Sequence, residues 1–150
     1  MHISLSKISR KFNYEWIFRD VDFEFEQNNA YAILGSNGSG KSTLLQIISG
    51  HLHPSAGTIT YSHNQIEIPV DDFFRHVTYS GPYLELIEEF TLEEMLTFHS
   101  RFRKFRHQLD VNAVMEITGL IRNRNKPIKY FSSGMKQRVR LAIALLTESE

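Results

Sequence analysis

Residues 35–42 read Gly35-Ser36-Asn37-Gly38-Ser39-Gly40-Lys41-Ser42, which fits the pattern G-x-x-x-x-G-K-[ST]. These residue types suit the binding of a polyphosphate. Such a group concentrates negative charge and needs many hydrogen-bond donors in a small space. Glycines let the backbone curl until successive N–H groups face one centre. A helix that starts just after the loop adds the positive end of its dipole. Lys41 offers an ammonium to the terminal phosphates, and the Ser42 hydroxyl is placed to ligate Mg²⁺. The candidate nucleotide-binding set is therefore Gly35, Ser36, Asn37, Gly38, Ser39, Gly40, Lys41, Ser42 and Thr43. The plain alternative is a Gly-rich strand-to-helix turn that carries a surface lysine.

A second constellation is Tyr130-Phe131-Ser132-Ser133-Gly134-Met135-Lys136-Gln137-Arg138. Two serines and a glycine at a helix start offer hydroxyls and free N–H groups to an anion. Ser132 or Ser133 could equally be a simple N-cap. Three weaker signals have structural readings. The basic, aromatic-interleaved stretch Arg101–His107 could touch RNA or anionic lipid, but it also suits a helix end with a solvated face. His51 and His53 could be a metal pair, or incidental loop residues. Glu88, Glu89, Glu93 and Glu94 resemble paired carboxylates, yet they fit better as complements to a helix N-terminus.

The elements that must hold these residues follow from periodicity. Ile3–Ile8 alternates, as does the stretch Asp20-Val21-Asp22-Phe23-Glu24-Phe25-Glu26, and both read as strands. Gln27-Asn28-Asn29 reads as a turn. Ala30–Leu34 is a short apolar run, expected as a buried strand leading into the Gly-rich loop. A helix over Ser42–Ser49 should be covered on most sides, with strands to follow at Thr58–Tyr61 and Val77–Tyr79. Thr91-Leu92-Glu93-Glu94 is a capping box. The helix it opens carries Leu92, Met95, Leu96, His99 and Phe102 on one face. Further helices are expected over Asp110–Thr118 and from Ser132 onward.

Composition excludes several classes. The chain has 150 residues, 41% of them hydrophobic, an ordinary globular balance. Lys and Arg balance Asp and Glu, giving a net charge of zero. That argues against a protein built chiefly to hold a nucleic-acid backbone. The absence of cysteine excludes disulfides, thiolate metal sites and thiol nucleophiles. The N-terminus has no signal-peptide core, and no apolar run is long enough for a membrane span.

Taken with the motifs above, the chain resembles the ATP-binding cassette (ABC) ATPases. Their signature, L-S-G-G-Q followed by a basic helix, stands here as Phe131-Ser132-Ser133-Gly134-Met135 and then Lys136-Gln137-Arg138. Ser133 replaces the first glycine and Met135 the glutamine. Leu44–Gly50, Pro54–Ile59 and Thr91–Met95 also look like their counterparts in the family. The resemblance implies an α/β P-loop core with an antiparallel β segment in front and an inserted α-helical subdomain. It implies the boundaries 1–80 for the β segment and core, 81–130 for the helical subdomain and 131–150 for the signature loop and helix.

The resemblance also implies an aromatic that stacks on adenine, best matched by Phe12, with Tyr14 and Trp16 as alternatives. It implies ATP and Mg²⁺ as cofactors. It puts Ser132, Ser133, Gly134 and Met135 against the γ-phosphate bound by a second ATPase domain. Pro82 falls in the slot of a coupling glutamine, so either another residue serves there or coupling is altered. The Mg²⁺-binding Asp and the catalytic Glu would lie beyond Glu150, so no catalytic residue is assigned. This stretch alone is expected to bind nucleotide weakly without turnover. Ile143, Leu145 and Leu146 are expected to lack partners and to promote association. The implied function is the ATP-binding subunit of an ABC transporter. It would be cytoplasmic, peripheral on the inner membrane face, and partnered by a transmembrane subunit and a second ATPase domain, with no nucleic acid. The alternatives are a non-transport protein of translation-factor type and a nucleotide-gated binding module without turnover.

Overall fold

The computed structural model describes residues 1–81 and 85–149. They form two compact units, Met1–Val77 and Thr78–Ser149.

The first unit is built on a sheet. Strands β1 (His2–Phe12) and β2 (Glu15–Phe25) are joined by a two-residue turn. Asn13 in that turn takes φ 52°, which asparagine tolerates well. Strand β3 (Ala56–His63) pairs with the other edge of β1, and the short β4 (Ile66–Ile68) follows. All pairs are antiparallel, in the order β2-β1-β3-β4. Leu5 and Ile8 of β1 are buried together with Ile47, and Phe18, Val21 and Ile59 close around them. Ile47 belongs to helix α1 (Lys41–Ile48), so the helix is held to the sheet by its C-terminal half. Beside this cluster Tyr61 stacks on Phe73, ring centroids 3.6 Å apart. The Tyr61 hydroxyl donates to the Ile47 carbonyl at 3.3 Å, and burial pushes its pKa up to about 12.

Several expectations meet corrections here. Ala30–Leu34 forms no strand. A central strand exists only through hydrogen bonds to neighbours, and no described strand flanks this run. The run is anchored instead by Tyr31, whose ring sits edge-on to Phe23 and Phe25 at 5.7 and 5.0 Å. The Tyr31 hydroxyl accepts the Glu26 N–H at 3.0 Å, while Leu34 is exposed. Val77–Tyr79 likewise forms no strand. Helix α1 buries only Ile47 fully and leaves Leu45 exposed, because no described strand covers its outer side. The turn at residues 27–28 forms as expected, with Asn28 at φ 66°.

The second unit is helical: α2 (Leu92–Phe102), α3 (Val111–Ile117) and α4 (Ser133–Leu146). Leu92, Leu96, Val114, Met115, Ile128 and Val139 form the centre of its core. The capping box at Thr91 is complete. Its hydroxyl accepts the Glu94 N–H, and the Glu94 carboxylate accepts the Thr91 N–H at 2.8 Å. Those bonds hold the Glu94 carboxyl below the usual carboxylate range. Asp110 caps α3 by accepting the Ala113 N–H at 2.8 Å. Phe102 departs from the expected inward face: as the last residue of α2 it is 73% exposed.

Ile143 and Leu146 pack against this core, so only Leu145 of the three expected orphans stays exposed. Part of the reason lies in residues 147–149, which are tied back to the basic stretch. Thr147 bridges to Phe105 and bonds the His99 ring at 2.7 Å. The Arg106 guanidinium donates to the Thr147 carbonyl at 2.9 Å, and that of Arg103 to the Glu148 carbonyl at 2.6 Å.

Candidate functional site

The Gly-rich loop leads directly into α1, which begins at Lys41 with Gly40 as its N-cap residue in a left-handed conformation. Glycine has no side chain to cap with. The first-turn amides of Lys41, Ser42 and Thr43 therefore receive no side-chain cap and stay available to an anion. The Ser39 N–H bonds back to the Ser36 carbonyl at 3.2 Å, which tightens the loop. The Lys41 ammonium folds over it and donates to the carbonyls of Gly35 at 3.1 Å and Ser36 at 2.8 Å. One cation thus ties both ends of the loop together while its third N–H stays unassigned. Residues 35–39 and Ser42 are exposed, so a ligand can reach them from solvent.

Gly40 also explains how the loop is seated. A Cβ there would lie 2.5 Å from Ile17 Cγ2 and 3.0 Å from Phe18 Cδ1. The loop end therefore rests directly on β2, next to the β1–β2 turn. Ile17 and Phe18 form this backing wall, and the sequence reading missed them. They follow Trp16 directly in the sequence, and nothing in their types marks the contact.

The aromatics near that turn differ in cover. Phe12 is 46% exposed with the Arg10 guanidinium 4.5 Å from its ring centroid. Trp16 lies under the Arg19 guanidinium at 4.2 Å and the Lys11 ammonium at 5.5 Å. Tyr14 is fully exposed.

The signature residues belong to the second unit. Ser132 caps α4: its hydroxyl accepts the Met135 N–H at 3.2 Å. Ser133 and Gly134 are exposed, and a Cβ added at Gly134 would meet open space. Met135 turns partly inward against the core. Phe131 is buried below the loop. One residue beyond Met135, Lys136 pairs with Glu88, whose carboxyl is held below its ordinary range mainly by that hydrogen bond. The sequence reading had not joined these two residues, which lie 48 positions apart.

The weaker signals resolve into structure. Glu88 serves Lys136, Glu94 caps α2, and Glu93 pairs with Arg124 at 3.1 Å. These carboxylates do not face one another as an acid–base pair. The His51 ring bonds the Ser49 hydroxyl, and the His53 carbonyl accepts from Arg10. Among the described residues no group of three or more His, Asp or Glu is placed to hold a metal ion. Pro82 lies outside the described residues. No helix among those described is long and apolar enough to cross a membrane.

The chain is similar to known proteins in sequence and in fold. The chain is 33% identical over 147 residues to the ABC transporter ATP-binding protein YxlF of Bacillus subtilis strain 168, covering 96% of this chain and 48% of YxlF. It thus spans about half the length of that relative. Among solved structures it superposes on one described as the ATP-binding subunit of an ABC transporter, with TM-score 0.76 and 26% identity, over 96% of this chain and 61% of the other. A second match, a putative ABC transporter ATP-binding protein from Pyrococcus furiosus, has TM-score 0.80 and 23% identity, covering 100% of this chain and 72% of that one. That likeness speaks for the α/β P-loop fold. The family model described as ABC transporter matches residues 18–150, which hold both the Gly-rich loop and the residues Ser132–Met135, and the chain belongs to that family.

Proposed function

We propose that this chain binds Mg-ATP on the loop from Gly35 to Thr43, as part of an ATPase subunit that powers transport. One observation carries the reading: Lys41 bridges the Gly35 and Ser36 carbonyls above uncapped first-turn amides. An ammonium parked on two carbonyls is ready to move to a phosphate, which binds it more strongly because the partner is charged. The exposed Ser42 hydroxyl fits Mg²⁺ as a hard oxygen donor. Bound there, the ion would supply neutralising charge to the phosphates. Of the aromatics near the turn, Phe12 remains the proposed adenine platform. It is nearly half exposed and carries one cation, Arg10, on its ring, whereas Trp16 is less exposed and engaged by two.

The second half of the proposal concerns assembly. Ser133 and Gly134 are exposed at the start of α4, as expected of donors that close over a γ-phosphate held by a second ATPase domain. In the complete protein hydrolysis would follow from that closure, with a transmembrane partner receiving the motion. The membrane-side location belongs to the same reading.

The test is a titration of the chain with a fluorescent Mg-ATP analogue. Lys41→Ala should weaken binding roughly 10- to 100-fold, the worth of a charged hydrogen bond. Unchanged affinity in the variant, or no binding by the wild-type chain at millimolar nucleotide, would overturn the reading.

A further inference from the structure

The stretch from Met95 to Leu109 contains no acidic residue but carries Arg101, Arg103, Lys104 and Arg106, although the whole chain is neutral. At the same end of α2, two phenylalanines face solvent: Phe98 is 40% exposed and Phe102 73%. They sit one helical turn apart with ring centroids 5.0 Å from each other. Arg101 and Lys104 are exposed beside them, and among the described residues neither has an acidic partner. The acids of α2, Glu93 and Glu94, are at its other end and are engaged there. Asp110 and Glu148 line a hollow beside Lys104 and offset only part of the positive charge.

We infer that this end of the helical unit docks on an anionic phospholipid bilayer. Exposed aromatic rings enter the interface while neighbouring cations meet anionic headgroups, and the pattern here supplies both. The arrangement suits a bilayer better than single-stranded nucleic acid. Stacking platforms present separate ring faces to successive bases, whereas the Phe98 and Phe102 rings pack on each other at 5.0 Å, with Phe90 at 5.7 Å from Phe98, as one apolar patch. Arg106 and Arg103 donate to the carbonyls of Thr147 and Glu148, which fixes them in this part of the helical unit. This docking is independent of nucleotide binding.

The experiment is co-sedimentation of the chain with vesicles of phosphatidylcholine alone and of phosphatidylcholine containing one quarter phosphatidylserine. Wild-type chain should pellet with the anionic vesicles, stay soluble with the neutral ones, and be released by salt. The double variant R101Q/K104Q should bind about 25-fold more weakly, near fivefold for each cation. Phe102→Ser should weaken binding about tenfold at constant charge. All three side chains are exposed, so circular dichroism should match wild type. Failure of the wild type to pellet, equal pelleting with neutral vesicles, or variants that bind as tightly as wild type would overturn the inference. So would an RNA oligomer that displaces the chain from vesicles. Nucleotide titration reads a different unit, so either proposal can fail alone.

Discussion

Gly38 and Gly40 stand two residues apart in the phosphate loop, both left-handed, with φ of +83° and +89°. Replacing either by alanine places a Cβ in a region L-residues avoid, at about 1–2 kcal/mol. A stiffer unfolded chain returns roughly 0.4–1 kcal/mol of that. Backbone alone therefore predicts a similar small loss, about 1 kcal/mol, at both sites. Their surroundings break the tie. Around Gly38 a Cβ would find nothing within 4 Å, whereas at Gly40 it would meet Ile17 Cγ2 at 2.5 Å and Phe18 Cδ1 at 3.0 Å. The Ile17 methyl is attached at a β-branched carbon and cannot swing clear, so the start of α1 or β2 must shift. Overpacking of this kind adds about 1–3 kcal/mol. Gly40→Ala should thus cost about 2–4 kcal/mol and Gly38→Ala about 1. Urea unfolding followed through Trp16, the single tryptophan, reads the unit that contains both sites. Losses that agree within about 0.5 kcal/mol would refute the claim that the loop is seated against β2. Gly40→Ala should weaken Mg-ATP binding as well, because the uncapped amides move with the helix start.

Other consequences are open to the same kind of measurement. Ser132→Ala removes the α4 cap and should cost about 1 kcal/mol, while Ser133→Ala should stay within about 0.5; equal losses would show that Ser132 does not cap. Leu96 is fully buried at the centre of the helical core, so Leu96→Ala should cost about 2–5 kcal/mol in urea, and a loss under 1 would contradict that packing. His99 is half-buried against Thr147, and burial first, then Arg103, push its pKa below 6.5. The unfolded chain therefore takes up the proton more readily. The stability His99 contributes is whole above pH 6.5 and declines as pH falls below it, levelling off under the folded pKa. His99→Gln should flatten the urea midpoint between pH 7.5 and 5, and an unaltered slope would remove His99 as its source.

What was legible in the sequence was mostly local. The capping box at Thr91 and the hairpin strands depend on residues within a few positions of one another and form as expected, and of the two serines offered as caps for the last helix it is Ser132 that serves. The Gly-rich loop is local as well, since Lys41 closes it onto the carbonyls of Gly35 and Ser36 within one contiguous stretch. Contacts between distant positions were not legible. Glu88 reaches Lys136, and Ile17 backs Gly40, through tertiary placement that no short pattern encodes. The basic stretch shows both cases at once. Its reading as a helix end holds for the buried Phe105 and for Arg103 and Arg106, which fasten residues 147–149. Phe102, grouped by periodicity with the inward face, is instead exposed because α2 ends there.

The failure at Ala30–Leu34 shows where such reading stops. An apolar pentapeptide carries the composition of a buried strand, yet pairing is a property of two chains of backbone, not of one. The antiparallel strands β1 and β2 supply each other's hydrogen bonds across a two-residue turn, so they form from local information. A central strand depends on partners far away in sequence, and none pairs with this run among the described residues. Tyr31 still finds Phe23 and Phe25, which fixes the path into Gly35 through side chains alone. That is enough to present the loop, because the loop takes its shape from Lys41, Ser39 and the wall at Ile17 and Phe18 rather than from a strand before it. The conformation of the Gly-rich loop is thus specified more locally than a central strand before it would be, which is why the start of α1 could be read where the strand could not.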